Sequence, residues 1–83
     1  MEAQILPFPI ARRWAFVFKQ AEHAALMHPD AGERYVLRQL KLQADTLRRK
    51  GVAEDLIQRE LGCLETAIRA ALWKAVNTPG GAA

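Results

Sequence analysis

The chain has no serine and only one cysteine, Cys63. Without serine there is no G-x-S-x-G nucleophile, and a lone cysteine cannot close an intramolecular disulfide. A reducing, cytoplasmic setting is therefore expected. No segment joins a basic start, an apolar stretch and a small-residue cleavage site, so no secretory signal is read. Long apolar runs are missing too: the uncharged stretch from Ala3 to Ala11 holds Gln4, Pro7 and Pro9, and such a stretch neither crosses a bilayer nor forms a regular helix. Val, Ile, Thr and Tyr are sparse, whereas Ala, Leu, Arg, Glu and Gln are abundant, which predicts an all-α fold. Charge of one sign is in small excess, with twelve Lys and Arg against nine Asp and Glu giving +3. That permits nucleic-acid binding without arguing for it. With 51% apolar residues the chain is hydrophobic enough to fold, but 83 residues allow one domain of thin stability.

Along the chain, Ile5-Leu6-Pro7-Phe8-Pro9 reads as an extended apolar arm over residues 1–9, because each proline disfavours helix in the residue before it. From Ile10 the spacing Ile10, Trp14, Val17, Ala21, Ala24 places one apolar stripe on a helix over 10–28, stopped by Pro29. A second helix is predicted over 30–50. It opens either with an Asp30/Glu33 capping box or with His28 as the cap and Pro29 in the first turn, and it ends at Gly51 in a left-handed cap. A third runs over 54–76, with Glu54 and Asp55 favouring its N-terminus, and residues 77–83 are expected to form a flexible tail. Ile57, Leu61, Leu64, Ile68, Ala71 and Ala75 alternate spacings of four and three along the third helix. The second carries Glu33, Leu37, Leu40, Ala44 and Leu47, widened by Val36. These coiled-coil-like seams, joined by a short turn, predict an antiparallel helical hairpin, with the helix over 10–28 as an addition within one domain, 10–76.

The succession Ile5-Leu6-Pro7-Phe8-Pro9, Arg12-Arg13, Glu60-Leu61, Leu64-Glu65, Ile68-Arg69 and Leu72-Trp73 resembles a family of short bacterial proteins of unknown function. Its members open with an I-P-F-P-like arm and an arginine-rich first helix. The resemblance implies that the arm and the Leu64 to Arg69 stretch belong to one recurring design. It transfers no catalytic residue and no ligand.

Catalytic and metal chemistry have little to stand on. His23 and His28 are five residues apart, whereas two ligands on one helical face need three or four. Cys63 lies off the seam with no second cysteine, and is expected to be a small, semi-buried structural residue. Glu54 and Asp55 point about 100° apart on a helix and serve its N-terminus. No phosphate-cradling glycine loop occurs. The expectation is a chain that is not an enzyme and uses no metal or cofactor.

Two surfaces stand out instead. Arg34, Arg38, Lys41 and Arg48 share one face of the second helix, and with Arg12, Arg13 and Lys19 they could follow a phosphate backbone. Tyr35 and Leu42 point about 150° from the Leu37, Leu40, Leu47 seam. Trp73 also misses its seam, and Phe16 stands on the otherwise polar side of the first helix with Arg12, Lys19 and His23. Some of these residues can be covered by the first helix and the arm, for instance under Phe8 and Phe18. The remainder predict a subunit or partner interface at Phe16, Tyr35, Leu42 and Trp73. The sequence thus predicts a small helical interaction module, a homodimer that binds another macromolecule, with nucleic-acid binding through the second helix as the alternative.

Overall fold

The computed structural model describes residues 10–77, with side chains from Arg12 onward. Three helices follow one another, α1 (Ile10–Ala25), α2 (Pro29–Arg49) and α3 (Glu54–Asn77), with no strand among the described residues. The fold is all-α. The arm expected over 1–9, with Phe8, and the tail beyond Asn77 lie outside the described residues.

Local chemistry sets the boundaries. α1 ends three residues before the expected 28, because His28 is extended (φ −56, ψ 142) and caps α2 instead. Its Nδ1 accepts the Asp30 backbone N–H at 3.2 Å, with Pro29 in the first turn. Of the two expected caps the histidine is thus the one used, and Glu33 turns away to Arg69 on α3. At the other end of α2, Gly51 sits at φ +83, where only glycine is unstrained. The Gly51 N–H reaches the Arg48 carbonyl at 2.9 Å and the Val52 N–H reaches that of Leu47 at 3.1 Å. This is a Schellman cap, with Val52 folded back onto the cluster containing Leu47. α3 runs one residue further than expected: Asn77, assigned to the tail, is helical and donates from Nδ2 to the Trp73 carbonyl at 2.8 Å.

α2 and α3 form the expected antiparallel hairpin, and α1 packs against both helices rather than beside one. Arg13 near the start of α1 meets Glu60 near the start of α3, and Ala24 near the end of α1 faces Leu72 and Val76 across one hollow. α1 therefore runs parallel to α3 and antiparallel to α2, making a three-helix bundle. Its largest core cluster is Val17, Ala24, Val36, Leu40, Leu64 and Ile68, and a second holds Ala44, Leu47 and Ile57.

The seams are rotated slightly from those expected. On α2 the buried line is Gly32, Val36, Leu40, Ala44 and Leu47, while Leu37 is 49% exposed and Glu33 faces solvent. On α3 Leu61 and Ala71 are only half-buried and Ala75 is exposed. The reason is geometric: α2 must face α1 as well as α3, which pulls its buried arc toward Val36. α1 rotates too. Its buried residues are Val17, Gln20, Ala21 and Ala24, whereas Trp14 leaves the stripe for the surface. Gly32 makes the α1/α2 crossing close, since a Cβ there would lie 3.0 Å from the Ala24 carbonyl oxygen.

Candidate functional site

Every partner-interface residue expected from sequence has a place among the described side chains. Phe16 and Tyr35 are half-buried and pack against the main core cluster. Leu42 and Trp73 are exposed, on different sides of the bundle. The expected set of four therefore does not form one surface. Tyr35 was expected to face away from the core, but α1 covers that side of α2. Its hydroxyl donates to Oε1 of the buried Gln20, so it accepts from His23 Nδ1, 2.8 Å away. This places both histidines in structural hydrogen bonds, one at a helix cap and one across the α1/α2 contact.

The exposed aromatic surface lies instead along α1 and the outward arc of α3. Trp14 and Phe18 stack with ring centroids 5.6 Å apart, one helical turn from each other. They are 48% and 57% exposed. Phe18 lines a hollow with Ala21, Glu22, Ala71, Lys74 and Ala75. Beyond it, the small residues Gly62, Cys63, Thr66, Ala67 and Ala70 of α3 line a shallow groove with Gln58 and Arg59. Trp73, 67% exposed, follows on the same arc. Cys63 is exposed there, not semi-buried as expected, because α1 approaches α3 on the side of Glu60 and Ala71 and leaves Cys63 outside that contact. Sequence spacing missed Trp14 and Phe18 as surface residues. Both lie within about 100° of Val17, and only the position of α3 decides which flank of α1 is covered.

Charged residues fall into two groups. Three arginines are taken up by carboxylates. Arg13 makes a bidentate pair with Glu60 at 2.9 and 2.8 Å, and the Glu60 side chain is only 6% exposed. Arg48 spans the α2/α3 corner to Glu54 at 2.9 and 2.8 Å and also reaches Asp45 at 3.1 Å. Arg69 joins Glu33 of α2, at 2.8 Å through two nitrogens, to Glu65 one turn behind it. The consequence is electrostatic. Hydrogen bonds from Arg48 hold the Glu54 carboxyl at about 2, and Arg69 lowers that of Glu33 in the same way. Arg13 and Arg48, expected among the phosphate-facing cations, are thus committed within the bundle. Within single helices Glu65 pairs with Arg69 and Asp45 with Arg48.

The second group is Arg12, Lys19, Arg34, Arg38, Lys41, Arg49 and Lys50, with Arg59 apart on α3, none of which has an ion-pair partner among the described residues. Arg12, Lys19 and Lys50 line the α1/α2 groove with Phe16, Gln43 and Thr46. Arg34 and Arg38 line a second hollow with Met27, Ala31 and Tyr35. Among the described residues no three of His, Cys, Asp or Glu are gathered as metal ligands, and no helix is long and apolar enough to cross a membrane.

The family of unknown function DUF6074 matches residues 1–83, and the chain belongs to that family. No curated protein and no solved structure matches it.

Proposed function

We propose that this chain is a non-enzymatic interaction module that works as a homodimer. The observation that carries the reading is the uncovered aromatic surface: Trp14, Phe18 and Trp73 are each about half exposed or more on the α1/α3 side of a single chain. Aromatic residues are enriched where proteins meet, and an 83-residue domain gains most from a second copy that covers them. The small residues between them, from Gly62 to Ala70, let a second helix approach closely. A two-fold arrangement places this face against itself.

The chemistry-bearing side chains have structural roles, which supports the non-enzymatic reading. Glu60, Glu54 and Glu33 hold arginines, Asp55 bonds the Leu56 N–H at the start of α3, and His23 and His28 bond Tyr35 and the α2 backbone. No cofactor is part of this reading. With no spanning helix among the described residues, the module acts in an aqueous compartment, the cytoplasm in our reading.

Light scattering across a hundredfold range of concentration tests the dimer. The expected mass at high concentration is twice the 9.3 kDa of one chain. A Trp14→Glu, Phe18→Glu variant is expected to stay monomeric with its helicity intact, because both side chains are half outside the fold already. Wild type at the mass of one chain throughout overturns the proposal.

A further inference from the structure

Among the described residues most cations without an ion pair gather on one side of the bundle, Arg59 on α3 standing apart from them. The α3 side carries both signs: Glu33, Glu54, Glu60 and Glu65 are matched to Arg13, Arg48 and Arg69. The groove between α1 and α2 carries Arg12, Lys19 and Lys50, and the adjoining outward face of α2 carries Arg34, Arg38, Lys41 and Arg49. Asp30 and Asp45 are the carboxylates on the same outward arc of α2 among the described residues, and Arg48 holds Asp45. A net charge of only +3 conceals this. Most of the carboxylates lie toward α3, and this face is left with more cations than carboxylates.

The layout of these cations says what they fit. From Arg34 to Lys50 they extend along α2 for about 24 Å at 1.5 Å per residue, with Arg12 and Lys19 in a second row across the groove. A site for one phosphate group needs its cations to converge, whereas a row suits a repeating anion. An anionic membrane needs large apolar side chains on the same face to enter the lipid. Here only Leu42 and, beside Arg34 and Arg38, Met27 are exposed large apolar side chains among the cations, and they do not form a continuous apolar face, while Trp14, Phe18 and Trp73 lie on the α1/α3 side. The core of a protein interface is poor in lysine, yet Lys19, Lys41 and Lys50 belong to this row.

We propose that the α1/α2 face binds the phosphate backbone of double-stranded nucleic acid, without selecting its base sequence. This rests on reading the chain as an interaction module and names the chemistry of its partner. Phosphate contacts by lysine and arginine position a duplex but carry no sequence information. The face is separate from the aromatic surface, so one dimer presents two such rows.

Fluorescence anisotropy of the full chain with labelled DNA and RNA duplexes of unrelated sequence tests the inference, beside polyglutamate and phosphatidylglycerol vesicles. Similar affinities are expected for the different duplex sequences. The logarithm of the affinity should fall against that of salt with a slope of about −5 to −6, from about 0.9 per phosphate neutralised. An Arg34→Gln, Arg38→Gln, Lys41→Gln variant should make that slope shallower by about 3 and weaken binding at least 100-fold, on the order expected for three lost phosphate contacts. Its unfolding temperature should stay that of wild type, since none of the three is ion-paired. Arg59→Gln, on the outward face of α3, should bind as wild type does. No duplex binding at about 25 mM salt, where phosphate contacts are strongest, overturns the proposal. So does undiminished binding by the triple variant. Capture of polyglutamate or vesicles without the duplexes also overturns it and assigns the face to an acidic protein or a membrane. A dimer that binds no duplex refutes this inference alone, and a monomer that binds one refutes only the proposed self-association.

Discussion

Where α1 meets the start of α2, Val17, Ala24, Val36, Leu40, Leu64 and Ile68 pack from all three helices. Where α2 turns into α3 the buried cluster is Ala44, Leu47 and Ile57, drawn from two helices only. The first end is held by apolar packing and by the close approach that Gly32 allows. The second has less to bury, and it is closed by polar devices: the Schellman cap at Gly51, the Arg48–Glu54 clamp over the corner, and Arg13 reaching from α1 to Glu60. The difference teaches how so short a chain fixes three helices. One end uses burial and the other uses directed hydrogen bonds, so the two ends should fail under different perturbations.

The largest effect is expected in the packed end. Leu64 is fully buried at the centre of the three-helix cluster. Leu64→Ala should cost about 2–5 kcal/mol, from lost burial and the cavity left behind. Chemical denaturation should show most of the native stability gone, and a small shift would place the core elsewhere. Next comes the polar end. Arg13→Ala leaves the Glu60 carboxylate buried without its cation and should cost about 2–3 kcal/mol, a little under the range for a fully buried pair because Arg13 is partly exposed. An Arg13→Met, Glu60→Leu double variant should recover most of that loss, which a simple packing role for Arg13 would not allow.

Glycine separates the two ends again at smaller magnitude. Gly32→Ala pushes a Cβ to 3.0 Å from a backbone oxygen that helical hydrogen bonding holds in place, and should cost about 1–2 kcal/mol by overpacking. Gly51→Val meets no neighbour at all. It should still cost about 1 kcal/mol or more, purely through its left-handed backbone. Thermal melting of the two variants sharpens the contrast between crowding and conformation.

The smallest effect is a pH dependence confined to the clamp end. Arg48 lowers the Glu54 carboxyl to about 2, below the usual value of about 4.3 for an unfolded chain. A lowered carboxylate contributes stability above the unfolded value, and the contribution is lost as pH falls through the folded one. Wild type and Glu54→Gln should therefore differ in melting temperature at pH 6 and converge toward pH 2. The Leu64→Ala difference should not follow that course. A Glu54→Gln difference that stays constant with pH would remove the clamp from the account.

Local signals carried much of this fold. Pro29 after His28 announced a helix start, and Gly51 after Arg48, Arg49 and Lys50 announced a helix end, because caps depend on neighbours along the chain. What spacing could not supply was the third helix's effect on the other two. Whether Trp14 or Phe16 is buried depends on which flank of α1 meets α2 and α3, and both flanks are apolar. The same holds for Val36 and Leu37. The Arg13–Glu60 pair joins residues 47 apart. Its trace in the sequence was Glu60 itself, a carboxylate three residues after Ile57 and four before Leu64, standing on an otherwise apolar seam. Of the basic residues expected to face a ligand, Arg13 proved committed to Glu60, 47 residues away, and Arg48 to Glu54 across the α2/α3 corner, while Arg49 and Lys50 join the free row. A stripe of charge is legible from periodicity. Its pairing is a property of the tertiary fold.

The two tryptophans report directly on the aromatic surface, since both stand on it and both are exposed in a single chain. Their emission and acrylamide quenching, followed while the protein is diluted a hundredfold, test self-association through that surface. Self-association should give blue-shifted, protected emission at high concentration that turns red and quenchable on dilution, and red, quenchable emission for Phe18→Glu at every concentration. Emission of solvent-exposed indole from wild type at the highest concentration would contradict it.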